Sequence, residues 1–407
     1  MKLTIDKFKL NKNIERENIL YIFFGVLFEK AFPFIIAFIF IRYIDDTEYG
    51  LWVIYFQLIL IFSSTIISPL QLFFNREFNK ANSEKIKIYN FQIIAPVFIF
   101  SLPIFYYLFD VLFFHLFLSL LSVITLILNN LLFNYLRFND QNSRYLLYSF
   151  LRFMCFLITL SSFVIWGDKL QIEGLFLALI FSNLIVIIVL GKLIEIKTQE
   201  YKIQEFLKLC SYGILTLSLA GLDKLLLLNT NLDIIDLATL GYALVFANST
   251  SIMVEVLKKY FSPIFFRNFN DLKFYSSSTI KSTLQANLFL AFFQLSFPFV
   301  LFFILDHFHF TKESLIGVDF LYLLLLLSTS LAIHNIYHFL NPYLFYINKS
   351  HYLSLIIIFT ALFFIISVLS FDYMSLIKLS YYKIISSLLL IILSLVCVKF
   401  LEKNNSV

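Results

Sequence analysis

Apolar stretches of about 20 residues follow one another along most of this chain, with only short polar turns between them. Each is long enough to cross a ~30 Å hydrocarbon core as a helix. In hydrocarbon every backbone N–H and C=O must find its partner inside the structure, which leaves helices and closed barrels as the spanning elements. The period-2 alternation of a membrane barrel is absent. The chain therefore reads as an all-α integral membrane protein. Charged residues make up only 14% of its 407 residues and hydrophobic ones 60%, proportions that a soluble chain of this length would not carry.

The apolar runs divide into about twelve expected transmembrane helices: 18–41, 51–74, 91–109, 111–136, 145–166, 174–193, 209–228, 236–257, 282–305, 320–346, 352–371 and 382–400. A basic connector separates the sixth from the seventh. The organisation expected is a cytoplasmic segment 1–17, an N-lobe 18–194, a cytoplasmic connector 195–208, a C-lobe 209–401 and a tail 402–407. Alternate polar segments hold about 23 Lys and Arg on the side of the termini and about 5 on the other, so the positive-inside rule puts both termini in the cytoplasm. The first 18 residues are charged and the first apolar run is full length, so no cleavable signal peptide is expected. The net charge of +5 is explained by this sidedness and calls for no nucleic acid. Cys155, Cys210 and Cys397 lie in or beside apolar runs, which suits neither a disulfide framework nor a metal site.

One hairpin organises the rest. Its first helix, SYGILTLSLAGLDKLLLLN, carries Asp223 and Lys224, and its second opens on Gly241-Tyr242. The first hairpin of the chain repeats the pattern, with Glu29-Lys30 and then Tyr49-Gly50. Twenty-six residues beyond each glycine stands Arg-x-Phe-Asn, at Arg76–Asn79 and at Arg267–Asn270. Both halves hold six helices and start on the same side. The expectation is two six-helix lobes related by a parallel pseudo-two-fold axis along the membrane normal, as in alternating-access transporters.

FIFIRYIDDTEYGLWVIYFQLIL and GLDKLLLL…LATLGYALVFANS resemble the helix 1–2 and helix 7–8 signatures of bacterial polysaccharide flippases, the Wzx-type O-antigen translocases of the multidrug/oligosaccharidyl-lipid/polysaccharide exporter superfamily. The resemblance covers the chain in length and helix count, and its motifs lie mainly in residues 38–80 and 218–270. It implies an inner-membrane flippase with a central cavity, moving undecaprenyl-pyrophosphate-linked oligosaccharide for O-antigen, lipopolysaccharide or capsule-like polysaccharide. A proton or sodium would be the coupling ion, and membrane lipids and other polysaccharide-assembly proteins the partners. No cofactor, catalytic group or metal is implied.

Physical chemistry asks the same of such a site. A diphosphate-linked glycan loses its hydration in hydrocarbon, so its path must offer cations to phosphate and amides, hydroxyls or aromatic faces to sugars. The intramembrane cations are Lys30, Lys224 and Arg152, the candidates for pyrophosphate binding. Lys30 lies near the midplane, whereas Lys224 and Arg152 can also snorkel to an interface. Glu29 and Asp223 are the candidates for ion coupling or gating. Neighbouring residues point about 100° apart on a helix, so each acid looks for a base elsewhere. One arrangement pairs Glu29 with Lys224 and Asp223 with Lys30 across the lobes, and static lobe packing is its alternative. Asn248, Ser249 and Gln57 are candidate sugar-facing groups. Asn129, Asn130 and Asn134 suit sugars or helix–helix hydrogen bonds equally. His334 and His338, four residues apart, are too few for a metal.

Two other functions compete. A cation-coupled drug exporter of the same superfamily would prefer an anionic cavity. A polysaccharide polymerase or ligase would want a sizeable outer loop, and the outer loops here are short.

Overall fold

The computed structural model describes residues 12–60, 63, 86–88, 113–167, 169–196, 233–250, 252–256, 277–317, 319–346, 350–370 and 375–405. The expected third and seventh helices, and with them Asp223 and Lys224, lie outside the described residues.

The first span is broken. Helix α1 (Lys12–Lys30) stops, and α2 (Phe32–Ile35) restarts after Ala31, continued by a π turn (Ile36–Phe40) and a 3-10 turn (Ile41–Tyr43). The two segments meet at 51°. Pro33 sits in the first turn of α2 and supplies the cause. It has no N–H to give to the carbonyl of Glu29, and its ring crowds that carbonyl. A proline is tolerated there because the first N–H groups of a helix have no partner within it. Glu29 and Lys30 thus occupy the last turn of a half-helix.

Helix α3 (46–60) begins when the Asp45 carbonyl accepts from the Tyr49 N–H at 2.9 Å. The expected start at residue 51 is corrected by one turn, and Gly50 lies inside the helix. Helix α5 (Asn142–Gly167) packs against α1, and α4 (Phe113–Phe138) and α6 (Ile172–Leu190) pack against α5 and each other. Helix α3 joins them through Trp52, stacked on Phe56 and edge-on to Phe176 of α6. A second group contains α7 (Ile234–Asn248), α8 (Ser277–His307), α9 (Phe320–Tyr346), α10 (Ser350–Leu369) and α11 (Leu376–Asn405). In this group α9 touches each of the other four helices.

The expected eighth span, 236–257, is likewise interrupted. Helix α7 opens with the Asp233 N–H donating to the Asp236 carboxylate at 3.2 Å. It ends at Asn248, turns through Ser249 and Thr250, and helical structure resumes over 252–256.

The all-helical expectation holds apart from one short ladder. Strand β1 (Ile86–Ile88) runs parallel to β2 (Ile194–Ile196), with Lys87 opposite Glu195. Five described helices are long and apolar enough to cross a membrane, or six if the broken first span counts as one. Ile188, Ile158 and Phe292 stand on the surface with most of their area exposed. Such a surface is suited to hydrocarbon rather than water. Inside the bundle, short polar side chains bond between or back onto helices, as in Ser330 to Ser387 at 3.4 Å across α9 and α11.

Candidate functional site

At the break in the first span, Glu29 and Lys30 have different surroundings. Glu29 turns inward, and the Tyr145 hydroxyl of α5 donates to its Oε2 at 2.6 Å. Tyr145 is fully buried, lying edge-on to Phe133 with the Arg137 guanidinium 5.6 Å over its ring. A Cβ at Gly25 would overlap that ring, so the glycine is what admits the tyrosine. Lys30 is exposed, and among the described residues no carboxylate pairs with it.

Arg152 does not snorkel. It is 2% exposed, with its guanidinium 4.4 Å over the Phe32 ring and Glu29 within electrostatic reach. With its amide oxygen turned to the guanidinium, Asn129 accepts from Nε at 3.0 Å and Nη1 at 3.2 Å. The Asn129 amide also lies 3.1 Å from that of Asn183, which reaches Thr125 at 3.3 Å. Asn129 therefore serves helix packing, one of its two expected uses. Along α5, Asn142, Tyr145, Ser149, Arg152 and Phe156 fall at three- and four-residue spacing, and all five are buried. This stripe holds the polar interior of the first helix group.

The two helix groups meet at the end of the bundle opposite Lys12. A Cβ at Gly50 would overlap the backbone oxygen of Ile234 in α7, and a Cβ at Gly241 of α7 would overlap Val53 of α3. The glycines that mark the sequence repeat thus lie where the two repeats cross. Their neighbours Tyr49 and Tyr242 are both buried and within electrostatic reach of each other. Phe38 of the first span packs against Phe246 at 4.9 Å between ring centres.

Outside this crossing Lys312 acts as a clasp. Its Nζ lies 2.6 Å from Asp46 Oδ1 and donates to the Ile44 carbonyl at 2.6 Å, and its backbone N–H donates to the Tyr242 hydroxyl at 3.3 Å. Ser314 donates to Asp46 at 3.3 Å. Asp45 pairs with Lys169 within the first group, at 3.1 Å.

The other candidates are scattered. Gln57 is buried in α3, Asn248 is half-buried at the end of α7, and Ser249 is buried in the turn that follows. His334 is half-buried, and the side chain of His338 lies outside the described residues. Among the described residues no His/Cys/Asp/Glu cluster could hold a metal. Two groups escaped the sequence reading. One is Lys312, a turn residue with no motif around it. The other is His115 of α4, whose Nε2 lies 2.7 Å from Glu173 Oε1 and whose Nδ1 lies 3.3 Å from the Tyr55 hydroxyl. Only its place inside an apolar run would have singled it out.

The fold has solved counterparts. An outward-facing multidrug resistance MATE family transporter of the MOP superfamily is similar over 97% of this chain and 96% of its own, with 12% identity and a TM-score of 0.60. The chain has the MATE fold. A MATE in complex with MaL6 is similar over 96% of this chain and 97% of its own (11% identity, TM-score 0.57). A solved chain designated protein A covers 96% of each (14% identity, TM-score 0.63). No protein-family model matches the sequence, and no curated protein matches it. On the MATE fold, this chain sets its first-span charges beside a proline break and its repeat glycines at the crossing of the helix groups.

Proposed function

We propose that this chain is a flippase for an undecaprenyl-pyrophosphate-linked oligosaccharide, an O-antigen or capsule-like repeat unit. It would work in the bacterial inner membrane by alternating access between lobes 18–194 and 209–401, with both termini cytoplasmic. The observation that carries this reading is Lys30, an exposed ammonium at the break of a membrane span. A charge at that depth is costly against lipid, so it belongs to a watery cavity. Ala31 keeps helical dihedrals (φ −70°, ψ −20°) between the two segments. Phe38 meets the second helix group, and Lys30 is proposed to point toward the space between the two groups. By the positive-inside rule the crossing and the Lys312 clasp form the periplasmic end, and the gap below them opens to the cytoplasm.

The chemistry of the gap favours an anion. The carboxylate beside Lys30 is already engaged by Tyr145, which leaves it less available to a cationic drug. Lys224 is the counterpart cation in the repeat. Arg152 is sealed among Phe32 and Asn129, so its proposed part in pyrophosphate binding is indirect, through the position of Glu29. Asn248, Ser249 and Gln57 are the proposed sugar contacts. Asp223 shares gating with Glu29, and a proton or sodium drives the cycle. The drug-exporter reading rests on the fold neighbours alone.

The test joins genetics to lipid analysis. Deleting the gene is expected to remove surface polysaccharide and trap lipid-linked units on the cytoplasmic leaflet. Lys30→Ala in the restored gene should slow export by about ten- to a hundredfold, the worth of one charge-assisted contact of 1.5–3 kcal/mol. Intact surface glycan with altered drug sensitivity would sink the proposal in favour of a drug exporter. Units left unpolymerised on the periplasmic face would make the protein an enzyme acting after translocation.

A further inference from the structure

We propose that Tyr55, His115 and Glu173 form a proton-binding site, loaded from the closed end of the bundle, that holds α3 in its crossing with α7. What the proton does rests on the transport reading, whereas the site itself does not. An ionisable pair inside a membrane bundle is a functional candidate by default, and His–carboxylate chains are a recurring form of proton relay.

The geometry has three parts. The His115 side chain is 7% exposed and Glu173 36%, so the imidazole is sealed while the carboxylate still reaches solvent. The carboxylate lies 2.7 Å from Nε2, within direct proton-transfer distance. The Tyr55 hydroxyl, 3.3 Å from Nδ1, can donate to that nitrogen or accept from it. The site can therefore be written in two protonation states, of which only the loaded one keeps a hydrogen bond between Nε2 and Glu173. In one, a neutral imidazole keeps its proton on Nδ1, donated to the Tyr55 oxygen, and Nε2 faces Glu173. Glu173 takes a proton from water and passes it to Nε2. In the product, an imidazolium donates Nε2–H to the Glu173 carboxylate and Nδ1–H to Tyr55. One proton has been gained from water, and the positive imidazolium lies beside the negative carboxylate.

The charged groups around the site come from three elements. On α3, Glu48 lies within electrostatic reach of Tyr55, and its Oε2 accepts from the Ile172 N–H at 3.1 Å. On α6 the facing charge is Glu173. Lys169, in the turn before α6, is exposed and committed to Asp45. The remaining described neighbours are aromatic, Phe114 and Phe176. One carboxylate thus lies against the imidazole, and a second acts on the Tyr55 that bonds it.

The link to the crossing runs through α3. Tyr55 is two residues from Val53, which meets Gly241, and five from Gly50, which meets Ile234. Binding the proton ties α4 to α6 through His115 and Glu173, which fixes the imidazole that bonds Tyr55 of α3 on the side opposite the crossing. The sign follows. The imidazolium–carboxylate pair exists at acid pH and is lost as pH rises through the titration of the site, so acid favours the closed end. The limit for one linked proton is about tenfold in the closed-to-open ratio per pH unit.

The test needs no substrate, so failure of the flippase reading and failure of this site are separable. The full chain is placed in nanodiscs, with the three native cysteines changed to serine. Spin labels go on Trp166→Cys and Phe308→Cys, both exposed at the closed end on opposite helix groups. Electron–electron distances from pH 8.5 to 5.5 should shift toward the short population by up to about tenfold per unit. The shift should vanish in His115→Gln and in Glu173→Gln. Among the signals of the six histidines, ¹⁵N resonances read on the same preparation should include one titrating imidazole that is lost in His115→Gln and altered in Glu173→Gln. Tyr55→Phe keeps the ion pair and covers the case in which His115→Gln fails to fold. It should retain the titration and weaken the distance response. Distances that do not respond to pH, a response that survives His115→Gln, or a His115 signal unchanged across the range would each overturn the proposal.

Discussion

Gly50→Val is expected to abolish glycan export while the protein still accumulates in the membrane. The added side chain has nowhere to go. The first atom it would meet is the backbone oxygen of Ile234, at the start of α7, where no rotamer change can give way. Overpacking a close contact costs about 1–3 kcal/mol, which lowers the population of the closed crossing by roughly five- to a hundredfold. The penalty falls on one state of the cycle, since helices that have moved apart can hold a valine. Gly241→Ala should be milder than Gly50→Ala, because Gly241 faces the side chain of Val53 and that side chain can shift. Two measurements check this. Surface polysaccharide reports export. Disulfide formation between Asp46→Cys and Ser314→Cys, whose native side chains lie 3.3 Å apart, reports closure. Wild-type export and cross-linking in Gly50→Val would show that the close approach is not part of the working cycle.

The glycines also show what could be read from the sequence and what could not. Helices appear where the apolar runs put them because a run of that length has no other stable form in hydrocarbon. Gly50 and Gly241 stood out as a repeat, but their role as the contact between repeats depends on which faces meet, and hydropathy carries no such information. Pro33 was visible within the first span. Its consequence, a 51° break that ends a helix on Glu29 and Lys30, follows from the missing N–H and needed only that argument. The partners of the buried charges were not legible. Glu29 meets Tyr145, 116 residues away, and His115 meets Glu173, 58 residues away. A sequence offers several acids and bases at similar depth, and only helix azimuth chooses among them. Equal depth suggested pairing Glu29 with Lys224, a residue that lies outside the described ones.

Arg152→Ala is expected to destabilise the protein itself, in contrast to Lys30→Ala, which should spare the fold. Arg152 is 2% exposed and its cost of burial is offset by three features: the Phe32 ring beneath it, the Asn129 oxygen beside it and the Glu29 carboxylate within electrostatic reach. Removing the guanidinium leaves Glu29 with less compensation, frees the Asn129 oxygen and opens a cavity against Phe32. Breaking a buried charge network of this kind costs about 3–5 kcal/mol. Arg152→Lys should recover little, since an ammonium cannot stack flat on Phe32 while giving two donors to one amide oxygen. The check is thermal unfolding of purified protein in detergent, with membrane abundance as the companion readout. A large fall in unfolding temperature for Arg152→Ala and none for Lys30→Ala would separate the cation that holds α1, α4 and α5 together from the exposed cation proposed to meet the substrate. Full stability of Arg152→Ala with export lost would instead put Arg152 beside Lys30 on the path of the pyrophosphate, and the network around Phe32 and Asn129 would then have to open during transport.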